Sequence, residues 1–347
     1  MDIRILTDQE LQFLNDSIAS ARHIVVCCHK SPDGDAIGSS LGWAEYLRLV
    51  GKNPSVIIPD AYPDFLQWLP RTNEVIRYDK HRDKAEQLMA DADLIFCLDF
   101  NATSRVGEMK AALDRSPASK IMFDHHLAPQ MDTVLEVSRQ QLSSTSELVF
   151  RIVWQEGAFD RLDKNFAVPV YCGMMTDTGG FVYNSSNCEI FFIVSQLMSK
   201  GFDKDKIYRY VYHNYSEQCI RFRGYLMYEK LHYHPQQKAS YFTITRADMI
   251  RFHYVKGDAE GVVNEPLRIK GLRLSISMRE DTEKDNLVWV SLRSVDHYHC
   301  NVIAEKFFNG GGHPNAAGGH LHCSIAEAEE IAKNAIEYFG KLYGCGF

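Results

Sequence analysis

Residues 120–126 read KIMFDHH, a short apolar run that leads directly into Asp124, His125 and His126. Such a run is typical of a buried strand, and in an open parallel sheet ligands bind at the carboxyl ends of the strands. Taken alone, the stretch also fits a polar turn with two solvated histidines. Three other apolar runs lead into acids, and they are residues 24–29 before Asp33 and Asp35, residues 94–98 before Asp99, and residues 170–176 before Asp177. Together the four runs predict one polynuclear metal site.

The order of strand-like and helix-like segments predicts the fold class. Short strands alternate with helices up to about residue 155, which indicates an α/β domain whose mostly parallel sheet has helices on both faces. Beyond about residue 230 several strand-like segments follow one another, so a smaller α+β domain is expected there. The predicted division is a first domain at residues 1–215, a connecting helix at residues 216–230 and a second domain at residues 231–347.

The composition narrows the class of protein. With 347 residues, 45% of them apolar and 24% charged, the chain is long enough for two globular domains. It has no run of 18 apolar residues and no secretion signal at its start, so we expect a cytoplasmic protein that does not enter membranes. The nine cysteines include no C-x-x-C pair, which argues against a disulfide framework or a zinc knuckle. The net charge of −7 argues against a protein that binds duplex DNA, but it permits a small phosphorylated substrate.

His29, Asp33 and Asp35 stand together after the first predicted strand. Histidine combined with carboxylates suits Mn²⁺, Fe²⁺ or Zn²⁺. Gly34 is expected to permit a tight bend between the two aspartates. A helix cap is the alternative, although a cap needs only one of these residues. Together with the acids that follow the other apolar runs, these residues provide enough ligands for two ions. In two-metal sites the ions lie about 3.5–4 Å apart, polarise a phosphoryl group and activate water.

These residues resemble, in the same order, the four motifs of the DHH phosphoesterase superfamily. The motif residues are His29-x₃-Asp33-x-Asp35-x₂-Gly38-Ser39, Asp99, Asp124-His125-His126 and Asp177. Residues 310–319, which read GGGHPNAAGG, are similar to the glycine-rich signature of the associated DHHA1 domain. The resemblance covers nearly the whole chain. The layout is most similar to the bacterial nanoRNase group, which includes oligoribonucleases and phosphatases of 3′-phosphoadenosine 5′-phosphate.

The resemblance implies a role for each motif residue. Two divalent ions, usually Mn²⁺ in this family, would share Asp99 as a bridging ligand. His126 would face the scissile phosphate as a hydrogen-bond donor or acid, and Asp124 would orient a histidine. The implied ligands are His29, Asp33 and Asp99 for one ion, and Asp35, Asp99, His125 and Asp177 for the other.

The glycine-rich run predicts an anion-binding loop at residues 310–312. Glycines let backbone N–H groups approach a phosphate closely, so Gly311 and Gly312 are expected to contact the substrate. His313 adds a side-chain donor beside them. A plain glycine turn with an exposed histidine is the alternative.

Arginine side chains provide the other expected substrate contacts. Arg293 and Ser294 end a predicted strand and resemble the family's Arg-Ser substrate contact, because arginine binds phosphate through two parallel hydrogen bonds. A solvated strand end is the alternative for this pair. Arg105, in a helix predicted at residues 105–113, follows Asp99 by six residues and is expected to reach the same site.

Two further groups of aromatic and histidine residues are expected to have packing or surface roles. Three pairs of histidines, each spaced by one residue, are predicted to lie on strands without an acid to complete a metal site. They are His232 and His234, His297 and His299, and His320 and His322. Four tyrosines are able to stack on bases but are expected instead to pack a helix against its neighbours. These residues are Tyr208, Tyr210, Tyr212 and Tyr215.

The predicted function is two-metal hydrolysis of short oligoribonucleotides, linear dinucleotides or 3′-phosphoadenosine 5′-phosphate. The alternatives are a cyclic-dinucleotide phosphodiesterase, an exopolyphosphatase or pyrophosphatase, a RecJ-like single-strand exonuclease, and a nucleotide-binding sensor without turnover. Short substrates are favoured because no Lys/Arg-rich run offers a path for a long strand. Assembly into a homodimer is compatible with this interpretation.

Overall fold

The computed structural model describes residues 2–255 and 257–344, and the chain divides into two compact units, Met1–Asn214 and Tyr215–Phe347. The first unit contains one six-stranded sheet. Its strands are β1 (Ile24–Cys27), β2 (Ser55–Ile58), β3 (Ile76–Arg77), β4 (Leu94–Leu98), β5 (Ser119–Asp124) and β6 (Leu135–Ser138). All neighbouring strands are parallel, in the order β3-β2-β1-β4-β5-β6. The predicted parallel sheet is confirmed.

Helices cover both faces of this sheet, as predicted. They are α1 (Asp8–Ser20), α2 (Gly34–Leu49), α3 (Arg82–Ala90), α4 (Lys110–Arg115), α5 (Thr145–Gln155), α6 (Lys164–Asp177), α7 (Cys188–Met198) and α8 (Lys204–Tyr212). Successive side chains of a strand point to opposite faces. Phe96 of β4 therefore packs in the core that includes α2, α5 and α6, whereas its neighbour Ile95 packs in the core that includes α3 and α4. Both cores are apolar, so the central strands β1 and β4 are apolar and buried along their whole length.

The strand order leaves a crevice at the carboxyl ends of β1 and β4. These two strands are adjacent, with Cys27 opposite Cys97. The chain leaves β1 toward β2 on one side, and it leaves β4 toward β5 on the other. Connections that diverge in this way open a ligand-binding crevice in parallel sheets. The polar residues that follow β1, β4 and β5 lie at this edge.

Helices α2 and α6 pack unusually closely because glycines line their contact. Gly34, Gly38 and Gly42 recur every four residues on one side of α2. A Cβ atom at Gly34 would clash with the side chain of Thr176, and one at Gly38 would clash with the backbone of Pro169. Gly34 lies in the first turn of α2 without a positive φ. Its predicted role in a tight bend is therefore wrong, and the reason for glycine is the close approach of α6.

The second unit is a smaller α+β fold, as predicted. Its strands are β7 (His232–His234), β8 (Ala239–Ile244), β9 (Leu274–Glu280), β10 (Val288–Ser294), β11 (Gly311–His313) and β12 (Ala316–Leu321). Their order is β11-β12-β10-β9-β8-β7, with only β8 and β9 parallel. Its helices are α9 (Glu217–Tyr225), α10 (Arg246–Arg251), α11 (Asn301–Phe307) and α12 (Ile325–Leu342). Helices α11 and α12 share one core with the sheet, and α9 and α10 share another with β8.

Three local predictions differ from the structure. Residues 105–113 do not form one helix, because a 3₁₀ segment (Thr103–Met109) precedes α4 and Gly107 breaks it with φ 57°. Residues 310–312 are not a free loop, since Gly311–His313 forms β11. The histidines at 297 and 299 follow β10 rather than lying on a strand, and His322 follows the end of β12. The predicted connecting segment holds α9 and a π-helical turn, Leu226–Lys230, and the proposed domain boundaries stay predictions.

Across the described part of the chain, every helix is too short or too polar to span a lipid bilayer.

Candidate metal centre

His29 lies two residues after β1 with its ring directed at two carboxylates. Its Nε2 is 3.4 Å from Oδ2 of Asp99 and 3.8 Å from Oδ1 of Asp33. Its Nδ1 lies 2.9 Å from the carbonyl oxygen of Lys30, a partner to which only an N–H can donate. This bond fixes the tautomer, so Nε2 keeps its lone pair for a metal ion.

Asp33 combines the two roles that the sequence left as alternatives. It is the N-cap of α2, where Oδ1 accepts hydrogen bonds from the N–H groups of Asp35 and Ala36 at 3.0 Å each. The same oxygen belongs to the group formed with His29 and Asp99. Capping therefore holds the carboxylate in place without removing it from the site.

Asp99 occupies the centre of the site at the end of β4. Its backbone has φ 64°, a left-handed conformation that is uncommon for residues other than glycine but that aspartate adopts more readily than most. One carboxylate oxygen faces His29, and the other lies 3.6 Å from Nε2 of His125. Asp99 is therefore placed between two groups of donors.

The second group brings together residues from a strand and two helices. Nε2 of His125, just after β5, lies 3.4 Å from Oδ2 of Asp177 and 3.9 Å from Oδ2 of Asp35. Asp35 belongs to the first turn of α2, and Asp177 is the last residue of α6. The close contact between α2 and α6 is what allows their carboxylates to meet.

The N-terminus of α5 holds two of these carboxylates, a role that the sequence did not reveal. Asp35 accepts hydrogen bonds from the N–H groups of Thr145 at 2.7 Å and Ser146 at 2.8 Å. The hydroxyl of Thr145 donates to Oδ1 of Asp99 at 2.9 Å. Free N–H groups and the helix dipole make this end of a helix a natural anion site. Ser144 caps this helix through the N–H of Glu147, but nothing in the sequence linked the start of α5 to Asp99.

Asp124 orients His126. Oδ1 of Asp124 lies 2.7 Å from Nδ1 of His126, and Oδ2 accepts the N–H of His126 at 3.1 Å. Asp124 is fully buried, whereas His126 is partly exposed. The two bonds to Asp124 therefore fix the orientation of the His126 ring.

The charges of the metal-free site are poorly balanced. Burial together with the charge of Asp99 raises the pKa of Asp35 to about 7. Burial and the charge of Asp35 also raise the pKa of Asp177. Burial opposes the ionisation of Asp99, but the hydrogen bond from His29 and the charges of His126, His29 and His125 together lower its pKa. Burial opposes protonation of His29, but the bond to Asp99 and the charge of Asp33 raise its pKa to about 9.

These donors fit divalent metal ions. The groups His29–Asp33–Asp99 and Asp35–His125–Asp177 each have their ligand atoms within 4.8 Å of one another, and Asp99, Asp124 and His126 form a third such group. Imidazole nitrogen with carboxylate oxygen is the donor set of Mn²⁺, Fe²⁺ and Zn²⁺ sites. Ligation would also remove the protons that the site otherwise retains. The clusters can therefore hold metal ions at the edge of the parallel sheet.

In the second unit, Arg293 and His313 lie on one face of the sheet. Ala316 of β12 is directly opposite Arg293 on one side and His313 on the other. Directly opposed residues share a face, so the small alanine separates the two polar side chains. Ser294 is buried, and its Oγ accepts a hydrogen bond from Asn315 at 3.0 Å.

The three glycines of this hairpin differ in whether packing requires them. Gly312 has φ 140°, and a Cβ atom there would lie 2.6 Å from the carbonyl oxygen of Ala316. A Cβ atom at Gly310 would likewise clash with the backbone of Gly318. At Gly311 a Cβ atom would meet nothing within 4 Å. Packing therefore explains Gly310 and Gly312 but leaves Gly311 as the position where a bound group has room to approach the backbone.

Arg105 adjoins the first loop through its backbone. Its carbonyl oxygen accepts the N–H of Lys30 at 2.8 Å, next to His29. Its side chain is exposed. The structure thus places the residue beside the site, and its contact with a substrate stays a prediction.

Comparisons with known proteins agree with this geometry. Residues 23–174 match the DHH family, N-terminal domain, and residues 242–341 match the DHHA1 domain. A bifunctional oligoribonuclease and PAP phosphatase NrnA from Thermus thermophilus is 27% identical over 309 residues, which are 86% of this chain and 84% of that protein. The cyclic-di-AMP phosphodiesterase PdeA from Listeria monocytogenes is 26% identical over 95% of this chain, but the match covers 50% of that protein.

Two solved structures have similar folds. An exopolyphosphatase-related protein from Bacteroides fragilis is 44% identical, with a TM-score of 0.93 over 97% of this chain and 98% of that one. RecJ from Thermus thermophilus, solved in complex with Mn²⁺, has a TM-score of 0.53 over 96% of this chain and 54% of that one, at 10% identity. The second likeness concerns the fold alone.

Proposed function

Because the chain belongs to the DHH/DHHA1 phosphoesterases, we propose that it hydrolyses short oligoribonucleotides, linear dinucleotides or 3′-phosphoadenosine 5′-phosphate with two divalent metal ions. The observation that carries this proposal is the pair of histidine–carboxylate groups that meet at Asp99. A shared carboxylate between two donor sets is the arrangement that two-metal phosphoryl chemistry requires. A sensor without turnover would not need to keep both sets complete.

The ligands that we propose divide between the two groups. His29, Asp33 and Asp99 would hold one ion, and Asp35, Asp99, His125 and Asp177 would hold the other. Bound there, two ions would polarise the phosphoryl group, lower the pKa of water and stabilise the leaving oxygen. Mn²⁺ is the proposed metal because the donor set mixes imidazole with carboxylate.

The residues around the ions complete the proposed mechanism. Since Asp124 accepts from Nδ1 of His126, Nε2 is the atom that would hold or donate a proton toward a phosphoryl or leaving oxygen. Asp124 keeps the ring in that orientation. In the second unit, Arg293, Ser294, His313 and the N–H groups of Gly311 and Gly312 would bind a phosphate that does not react, with Arg105 as a further cation.

Two observations support the proposed substrate class: the names of the similar proteins and the net charge of the chain. NrnA proteins named as oligoribonucleases and PAP phosphatases match most of this chain, whereas the cyclic-di-AMP phosphodiesterase is about twice as long as the matched part. The chain has a net charge of −7, and a short substrate needs few cations. Phosphoanhydride hydrolysis is the second candidate, because the 44% identical protein is named as exopolyphosphatase-related.

Compartment and assembly are also proposals. The eight described cysteines are free, which is usual for proteins in a reducing compartment, so we propose the cytoplasm. A homodimer is compatible with the fold, and no binding to membranes or duplex DNA is proposed.

A substrate panel with Mn²⁺ tests the function. We expect a 5′-phosphorylated dinucleotide to be hydrolysed with a higher kcat/KM than a 20-mer of the same base, and both activities to disappear after chelation. Equal efficiency on the 20-mer would favour a RecJ-like exonuclease. Release of phosphate from pyrophosphate alone would favour the second candidate, and full activity after exhaustive chelation and gel filtration would overturn the metal mechanism.

A further inference from the structure

The loop after Asp177 is held in one shape by hydrogen bonds. Gly179, Gly180 and Phe181 have φ values of 57°, 77° and 66°. The hydroxyl of Thr178 accepts the N–H of Phe181 at 3.0 Å, and the carbonyl of Thr178 accepts two further N–H groups of the loop. Glycine adopts such values without strain, whereas the left-handed conformation of Phe181 costs energy and persists because the surrounding hydrogen bonds maintain it. The loop therefore presents a fixed surface beside a proposed metal ligand.

Two half-exposed tyrosine rings lie against the glycines of this loop. A Cβ atom at Gly179 would lie 2.6 Å from the ring of Tyr183, and one at Gly180 would lie 3.3 Å from the ring of Tyr208. The two residues are 48% and 41% exposed, respectively. We call these two rings the tyrosine surface. Each ring contacts a glycine that is two or three residues from Asp177.

Two aromatic neighbours, Tyr212 and His213, pack against the ring of Tyr208. Tyr212, one helical turn along α8, has its ring centroid 4.8 Å away, and its hydroxyl donates to the carbonyl of Met175 at 3.1 Å. His213 meets the ring of Tyr208 edge-on at 5.3 Å. The ring is thus oriented in advance, which lowers the entropy that binding would cost.

The other tyrosines of this segment have different surroundings. Tyr210 is 38% exposed, but its ring packs on Trp68 at 5.0 Å and lies under the ammonium group of Lys206. Tyr215 lies under the guanidinium group of Arg223. Of the four tyrosines singled out in the sequence, only Tyr208 combines exposure with a position next to the site.

We propose that the tyrosine surface binds a nucleobase of the substrate by stacking. This inference rests on the proposed function and deepens it, because it names a nucleotide rather than a phosphoanhydride as the substrate class. Aromatic rings stack on every base, so the surface would recognise a base without selecting its sequence. A ligand such as pyrophosphate has no ring and would gain nothing from these two side chains.

A matched pair of substrates tests the inference. The probes are a 5′-phosphorylated diadenylate and its two forms in which one adenine is replaced by hydrogen. We expect the wild-type protein with Mn²⁺ to prefer the full dinucleotide over at least one abasic form by about tenfold in kcat/KM. Tyr183→Ala and Tyr208→Ala should reduce this preference toward one, mainly through KM, and leave hydrolysis of that abasic form unchanged.

Further variants separate stacking from packing. Tyr208→Phe should keep the preference, whereas Tyr208→Leu, which retains apolar bulk against the loop, should lose it. Tyr210→Ala is the matched control, because it removes an equally exposed ring from the same helix, and it should behave like wild type. Melting temperatures of all variants report whether the fold is intact.

Four outcomes would overturn the inference. The first is that wild type cleaves the dinucleotide with no preference over either abasic form, and the second is that the alanine variants keep the full preference. Either result leaves the proposed function intact. Unchanged preference with an altered oligomeric state in the variants would identify a contact between copies of the chain instead. Hydrolysis of pyrophosphate without any dinucleotide cleavage would overturn both the inference and the proposed function.

Discussion

The two regions that we assign to function are built in opposite ways. In the first unit, Asp35 at the start of α2 and Asp99 at the end of β4 are buried. The N-terminal residues of α5 donate hydrogen bonds to both carboxylates. In the second unit, Arg293 and His313 are only partly buried on an antiparallel sheet near its edge. Buried charges need an opposite charge to be stable, whereas groups near an edge can release a ligand easily. Changes in the first region should therefore affect turnover and metal binding, and changes in the second should affect affinity.

The largest expected effect comes from Asp99→Asn. Asparagine tolerates the left-handed backbone and keeps the shape of the side chain, but it removes the charge that both donor groups share. We expect turnover to fall by at least about 10³-fold. Steady-state kinetics measure it, with Asp91→Asn on the surface as the control. A variant within tenfold of wild type would show that Asp99 is not a shared ligand.

The hydroxyl of Thr145 should have the next largest effect. Thr145→Val keeps the N–H bond to Asp35 but leaves Oδ1 of Asp99 without its hydroxyl donor. Loss of a partner that orients a ligand typically lowers metal affinity by about 10–100-fold. Calorimetric titration with Mn²⁺ measures the change, and Thr145→Ser should restore affinity. If Thr145→Val bound Mn²⁺ as tightly as wild type, Thr145 would have a role only in the fold.

In the second region, His313→Ala should weaken substrate binding while metal content stays the same. Binding that is equal in ground and transition states raises KM without changing kcat, and we expect an increase in KM of about tenfold. Metal analysis and kinetics together test this. His320→Ala, on the same hairpin but packed near Trp289, is the control. Loss of metal from the His313 variant would contradict the division between the regions.

The smallest effect is on the stability of the metal-free protein. The pKa values of Asp35, about 7, and His29, about 9, are both raised in the folded state. Stability from either group is greatest below its unfolded pKa and is lost as pH rises through the folded value. We expect the melting temperature in chelator to fall by at least about 3 °C between pH 6 and pH 9.5. Mn²⁺ should abolish the difference, and a melting temperature that rises with pH would refute the assignment.

The sequence allowed the sheet and the order of the acids to be predicted because both are local signals. An apolar run followed by a polar residue identified the ends of β1, β4 and β5. Short edge strands such as β6, with only Leu135 and Val137 directed inward, carry too little apolar pattern to be recognised. The hairpin at Gly311–His313 was missed because three glycines in a row predict a turn, whereas pairing with β12 holds them extended.

Contacts between distant residues were beyond sequence reasoning. Thr145 and Asp99 are 46 residues apart, and a threonine at the start of a helix usually needs no partner elsewhere. The position of each acid was therefore predictable, but the groups that orient it were not. Gly34 illustrates the same limit, because its neighbour Thr176 belongs to another helix.

The glycine contact between α2 and α6 has a consequence for how the chain is made. Gly34 leaves the ribosome about 140 residues before Thr176, an interval of about 7–30 s at ordinary rates of synthesis. During that time α6 does not yet exist, so the glycine side of α2 lacks its packing partner and Asp35 lacks the neighbouring carboxylate of Asp177. Two of the proposed ligands, Asp35 and Asp177, can therefore meet only after α6 has been made and has packed on α2.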